Sequence, residues 1–237
     1  YYLAMPPRSD EEVVRFELDE DGKPTLTGTV SGKGIGSSAK PIGDSTMILS
    51  PDGKHIYTIS ATEHAVGVVE VGEEGKLGFV ETVDLNKLVP DPNPESQKWN
   101  QTFAWPALAI SPDGKQVYVN LWSYGRGHGD CVGLYNRDAE TGKLSLVGKL
   151  DWPEGVKGLR LAFTQDGQAG CFGSLTGPVT YFKRDPESGK LTKVQSFPET
   201  SGPERAGPCL YDMTLDEKAG YAYFADLYGA LFVFKMP

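Results

Sequence analysis

The sequence predicts an all-β protein: a β-propeller of four-stranded antiparallel blades, with about five repeats present. Two turn families that alternate along the chain carry this expectation, supported by the turn-rich composition. The first family is Ser50-Pro51-Asp52-Gly53-Lys54, Ser111-Pro112-Asp113-Gly114-Lys115, Thr164-Gln165-Asp166-Gly167-Gln168 and Leu215-Asp216-Glu217-Lys218. The second is Asp19-Glu20-Asp21-Gly22-Lys23, Glu73-Glu74-Gly75-Lys76, Ala139-Glu140-Thr141-Gly142-Lys143 and Pro186-Glu187-Ser188-Gly189-Lys190. Each turn has apolar residues on both sides, and Asp-Gly and its relatives take the positive φ that tight hairpins require. The 29 glycines and 17 prolines suit a chain of many turns and few helices.

Strand by strand, the unit reads a, Asp-Gly turn, b, loop, c, Gly-Lys turn, d, long loop. The b strands follow the first turn family: His55-Ile56-Tyr57-Thr58-Ile59, Gln116-Val117-Tyr118-Val119-Asn120, Ala169-Gly170-Cys171-Phe172 and Gly220-Tyr221-Ala222-Tyr223-Phe224. The c strands precede the second: Val13-Val14-Arg15-Phe16, Val66-Gly67-Val68-Val69, Val132-Gly133-Leu134-Tyr135 and Val179-Thr180-Tyr181-Phe182. The d strands include Leu26-Thr27-Gly28-Thr29-Val30 and Leu144-Ser145-Leu146-Val147-Gly148. One helical turn is expected near Leu85 to Leu88. The repeats run approximately over 1–40, 41–102, 103–155, 156–205 and 206–237, within one propeller domain. A sandwich does not account for two turn families in fixed alternation.

The first repeat starts at strand b, with Tyr1-Tyr2-Leu3-Ala4-Met5 as that strand, and the last ends at strand c, Leu231-Phe232-Val233-Phe234. The expectation is a processed or partial chain, or a ring completed by another chain, since an open ring leaves hydrogen-bonding edges exposed.

Composition narrows the partners. A net charge of −9, with no Lys/Arg run longer than two, argues against nucleic acid, which needs a positive field. No stretch of about 18 apolar residues exists to span a membrane. Cys131, Cys171 and Cys209 form neither a disulfide framework nor a CxxC site, and single out no compartment, cytoplasmic or secreted.

The pattern Leu-Ser-Pro-Asp-Gly-Lys-x-Ile/Val-Tyr, an apolar strand, and then Asp-x-x-x-Gly-Lys-Leu-x-x-Val resembles the lactonase-type seven-bladed propellers. That group includes 6-phosphogluconolactonase-like enzymes and YVTN-repeat surface proteins. The resemblance covers nearly all of the chain, rests on blade scaffolding, and implies lactone hydrolysis with polar residues where the chain enters strand a. The family pattern Pro-Arg-His-Leu-Ala-Phe matches Gly158-Leu159-Arg160-Leu161-Ala162-Phe163, with Arg160 in place of the histidine and Leu159 in place of the arginine. Asp212, within Tyr211-Asp212-Met213, stands where the family often carries an acidic residue.

Independently of the family, antiparallel order puts the a–b and c–d turns on one face of the disc and the long connections on the other. Residues 31–45, 86–103, 123–130, 151–157 and 198–208 lie on that second face, where binding residues concentrate. Lys40, Asp44, Trp105, Arg160, Arg205 and Asp212 are the candidates at the mouths of the a strands; they suit a small anionic or sugar-like ligand, arginine gripping a carboxylate or phosphate in paired hydrogen bonds. Arg126 and His128 in the loop Tyr124-Gly125-Arg126-Gly127-His128-Gly129-Asp130 are further ligand-binding candidates. His55, His64 and His128 fall on different faces, which excludes a three-histidine metal site. A carboxylate-lined Ca²⁺ site at Asp44 or Asp212 stays open, and no other cofactor is expected. Gly-x-Ser-x-Gly is absent.

Three functions remain. The first reading is a binding or assembly module that uses the long-loop face. The alternative is a hydrolase of sugar or aliphatic lactones, with Arg160 polarising the carbonyl and Asp212 directing water. A subunit of a redox complex is the third.

Overall fold

The computed structural model describes residues 2–4, 12–32, 47–60, 64–88, 107–121, 131–150, 158–174, 178–197, 210–226 and 229–237. Among the described residues, eighteen strands form five antiparallel sheets, in chain order: β1 (Tyr2–Ala4), β2 (Glu12–Leu18) and β3 (Pro24–Ser31); β4 (Met47–Leu49), β5 (His55–Ser60), β6 (Ala65–Val71) and β7 (Leu77–Asp84); β8 (Ala107–Ile110), β9 (Gln116–Leu121), β10 (Cys131–Arg137) and β11 (Leu144–Leu150); β12 (Gly158–Phe163), β13 (Ala169–Ser174), β14 (Thr180–Arg184) and β15 (Leu191–Ser196); β16 (Leu210–Asp216), β17 (Tyr221–Asp226) and β18 (Leu231–Lys235). Within every sheet each strand pairs with its sequence neighbour, so each sheet is a simple up-and-down meander, as a propeller blade requires. The three central sheets have four strands, and the first and fifth have three.

Short turns make these meanders. In three of the four turns of the first family the side chain at the opening position closes its own loop. Ser50 Oγ donates to Asp52 Oδ1 at 2.6 Å and accepts from the His55 N–H at 2.9 Å. Ser111 does the same with Asp113 and Gln116, and Thr164 with Asp166 and Ala169. Turn and sequence motif thus coincide, because the Ser/Thr–Asp pair supplies local partners for backbone groups that the ladder leaves out. The helical turn expected near Leu85 is a single 3-10 turn over Leu85–Lys87, its first N–H groups capped by Asp84, which accepts from Asn86 N. A second 3-10 turn, Glu73–Gly75, replaces the tight Gly-Lys hairpin in the second sheet.

Burial follows position in the blade. Strands β5 and β9 are buried along their whole length, as are Ala65 to Val69 of β6 and Cys131 to Tyr135 of β10. Middle strands are covered on both faces by neighbouring sheets, so they read as continuous apolar runs rather than alternating ones. The outermost strands β3, β11 and β15 are largely exposed. Core clusters therefore lie between sheets: Tyr57, Val66, Val68 and Leu85 against Leu108, Val117, Val119 and Leu121; Tyr118 and Leu134 against Phe172 and Phe182; and Cys171, Val179 and Phe197 against Ala222 and Phe224. Each large side chain so buried contributes about 1.5–3 kcal/mol. The first strand of each central sheet runs innermost, and β12 lies beside both β8 and β16.

Candidate functional site

Two of the sequence candidates meet. Arg160 and Asp212 occupy equivalent places on neighbouring innermost strands. Arg160 pairs with Gly173 after a register shift that skips Leu159, and Asp212 pairs with Ala225 after a register shift that skips Tyr211. A bulge of this kind adds one residue, bends the strand and re-aims the side chain beside it. Here two such bulges sit side by side where the long connections enter the strands, and they bring Arg160 Nε to 4.0 Å from Asp212 Oδ1. Asp212 Oδ1 also accepts the Met213 N–H at 2.9 Å, which fixes the carboxylate against its own backbone. The guanidinium side chain is 25% exposed and the carboxylate side chain 74% exposed, so the carboxylate is open to water while the guanidinium is mostly covered. Ala107 takes the same place in the third sheet, pairing with Asn120, with no bulge.

This arrangement presents one fixed cation and one solvent-facing carboxylate at the mouth of the inner strands. Chemically, such a pair can bind an oxyanion or polarised carbonyl at the guanidinium and take a proton from water at the carboxylate. Among the described residues no group of three or more His, Cys, Asp and Glu side chains comes together, and the neighbour of Asp212 is a cation. Lys40, Asp44, Trp105, Arg126, His128 and Arg205 lie outside the described residues. His55 sits at the start of β5, beside the short-turn face, and His64 precedes β6 on the long-connection side.

The structure also brings together residues that sequence reading overlooked. On the short-turn face, Arg137 at the end of β10 reaches into the second sheet. Its Nη2 lies 3.0 and 2.7 Å from the two Asp52 carboxylate oxygens and 2.9 Å from His55 Nδ1; Nε donates to the Tyr57 hydroxyl at 2.8 Å. The Tyr57 hydroxyl in turn donates to the Gly142 carbonyl at 2.9 Å. Arg184 repeats this one blade on: Nη2 at 3.0 and 2.9 Å from Asp113, Nε to the Tyr118 hydroxyl at 3.1 Å, Nη2 to Gln116 Oε1, and Tyr118 to the Gly189 carbonyl at 2.8 Å.

Burial opposes ionisation of Asp52, but hydrogen bonds from Ser50, Arg137 and the Lys54 N–H outweigh it and hold the carboxyl well below the usual range. Asp113 is lowered against its burial in the same way, by Ser111, Arg184 and Lys115. Burial pushes the Tyr57 and Tyr118 hydroxyls up to about 12, so both remain protonated donors at neutral pH. These clusters are satisfied internally, and they act as clamps between blades. The signal that could have found them was present: Arg-Asp before the Gly-Lys turn and Tyr two residues after His55 or Gln116 recur one blade apart.

Comparison with known proteins bears on the fold. No curated protein matches the sequence. Solved structures do. A candidate 6-phosphogluconolactonase from Bacteroides uniformis superposes with a TM-score of 0.64 at 18% identity, covering 99% of this chain and 65% of that one. A protein from Lactobacillus plantarum gives 0.62 at 19% identity, covering 95% and 66%. A candidate 6-phosphogluconolactonase from Bacteroides fragilis gives 0.55 at 21% identity, covering 79% and 49%. At these identities the likeness establishes the fold, and the chain spans between about half and two thirds of the length of these structures. The profile described as lactonase, 7-bladed beta-propeller, matches residues 2–206. With that match over most of its length, and with five antiparallel meanders to bear it out, the chain belongs to the lactonase family of seven-bladed β-propellers.

Proposed function

We propose that this chain carries a lactone-hydrolysing site, with Arg160 and Asp212 as its catalytic pair. The observation that supports the reading is their meeting at 4.0 Å on two bulged innermost strands. Family membership favours the hydrolase over the binding or assembly module that was the first reading of the sequence.

In this reading the lactone carbonyl oxygen lies against the Arg160 guanidinium. Asp212 accepts a proton from a water molecule as its oxygen attacks the carbonyl carbon. The carbonyl π bond opens to an oxyanion, which the guanidinium stabilises. Collapse of that tetrahedral intermediate re-forms the carbonyl and breaks the ring C–O bond. The ring oxygen takes the proton that Asp212 accepted and leaves as the alcohol of a hydroxy acid, which restores the carboxylate. Arginine suits the first role because it stays charged at all relevant pH and presents several donors in a plane. Asp212 suits the second because its oxygens face water. The substrate class is a sugar or aliphatic lactone.

The test is release of acid from δ-gluconolactone and γ-butyrolactone, above the uncatalysed rate, by the parent chain and Asp212→Asn. Positioned general bases contribute about 10²–10⁴-fold, so the variant should lose at least about 100-fold while keeping the parent's circular dichroism. Equal turnover in parent and variant would remove Asp212 from the mechanism. No turnover by the parent would remove this chain as a self-sufficient hydrolase.

A further inference from the structure

We propose that the junction between the second and third sheets is a proton-sensitive hinge, with His55 as its sensor. The two arginine clamps differ at one position. Where Arg184 meets Gln116 Oε1, Arg137 meets His55 Nδ1 at 2.9 Å. A guanidinium has donors only, so His55 Nδ1 must offer its lone pair, which makes the ring neutral with its proton on Nε2. Protonation turns Nδ1 into a second donor facing a donor and sets one cation against another. Gln116 accepts in the same way and cannot titrate.

The ring has nowhere to retreat. His55 is 1% exposed, and Gly142 closes over it so tightly that a Cβ there would stand 2.2 Å from His55 Cδ2. Gly142 also has φ +72°, so glycine serves both the turn and the ring. The groups around the imidazole come from every neighbouring element: Arg137 from β10, Asp52 and Lys54 from the preceding turn, Glu70 paired opposite on β6, and the Tyr57 hydroxyl that shares Arg137. Burial first, and the Arg137 charge second, lower the His55 pKa from 6.5; Asp52 and Glu70 pull the other way and lose.

The direction of the effect follows. The folded chain resists the proton that the unfolded chain accepts, so the His55 contribution is complete above pH 6.5 and is lost as pH falls below it, down to the folded value. Linkage limits the loss to about tenfold in the local opening equilibrium per pH unit. Asp52 stays ionised throughout that window, because its carboxyl lies far below it.

Hydrogen exchange on the full chain, at about pH 7 and about pH 5.5 with intrinsic rates factored out, tests this. Protection over 50–57 and 131–137 should fall at the lower pH, by at most about tenfold, while 111–118 and 180–184 hold, and His55→Gln should abolish the fall. An equal fall at both junctions, or the same fall in His55→Gln, would overturn the proposal. Should the variant not fold, an NMR titration of the parent's His55 ring decides. A ring that titrates below 6.5 is expected, and one that titrates at 6.5 or above refutes the sensor.

Discussion

The junctions between neighbouring sheets of this molecule solve the same packing problem with two opposite chemistries. Between the second and third sheets, and again between the third and fourth, a buried arginine spans the gap. Between the fourth and fifth, the corresponding backbone slot belongs to Met236, as the ladder shows: Arg137 N donates to Lys115 O, Arg184 N to Gln168 O and Met236 N to Gly220 O, at 2.8, 2.7 and 2.9 Å. Where Tyr57 and Tyr118 stand on their strands, the fourth sheet has Cys171. Asp166 remains, but among the described residues its carboxyl accepts only from the Gln168 N–H and Thr164 hydroxyl. Cys171, Phe197, Ala222 and Phe224 pack this junction together with Phe234 and Met236.

Arginine and tyrosine have thus been exchanged together. A buried guanidinium is tolerable only with its full set of acceptors, and a buried tyrosine hydroxyl only with partners; losing one member strands the others. The apolar junction is also the one beside the candidate site. There a cross-strand ion pair, Arg160 with Asp212, is half open to water. Arginines at the clamped junctions hold sheets together; under the proposed function the arginine above the apolar one takes part in chemistry.

The contrast predicts its own failures. Arg184→Ala takes the charged donor away from Asp113, the Tyr118 hydroxyl and Gln116 in a site where the arginine side chain is 0% exposed, and should cost about 3–5 kcal/mol in urea denaturation. Combining Arg184→Met with Tyr118→Phe imitates the apolar junction. The double variant should be less destabilised than the sum of the singles by about 0.5–3 kcal/mol, and strict additivity would break the claim that the set acts as a unit. Cys171 should resist iodoacetamide in the folded chain, read by peptide mass spectrometry, since burial raises its thiol to about 12. The smallest effect is expected at Lys115→Ala. Its ion pair with Glu187, at 3.0 Å, is solvent-exposed and worth less than about 1 kcal/mol.

Much of this was legible in the sequence, for a local reason. Ser-Pro-Asp-Gly and Asp-x-x-x-Gly-Lys close their turns with their own side chains, so turn order, strand order and fold class followed from spacing alone. The pairing of Arg160 with Asp212 was half legible: both were placed at strand mouths, but the bulges at Leu159 and Tyr211 that align them share no sequence signal, Gly158 preceding the first and Leu210 the second. The clamps were not read, because Arg137 and Asp52 stand 85 residues apart and meet only when two sheets pack. An arginine ending a strand looks like a solvated charge until its neighbour is known.

The central claim is that Arg160 serves chemistry whereas Arg137 and Arg184 serve the fold. The most direct test measures the urea midpoint and lactone turnover of Arg160→Ala on one preparation, beside Arg184→Ala. The account predicts stability within about 1 kcal/mol of the parent and turnover reduced at least about 100-fold. A variant as destabilised as Arg184→Ala, with turnover per folded molecule unchanged, would contradict it and make Arg160 one more clamp.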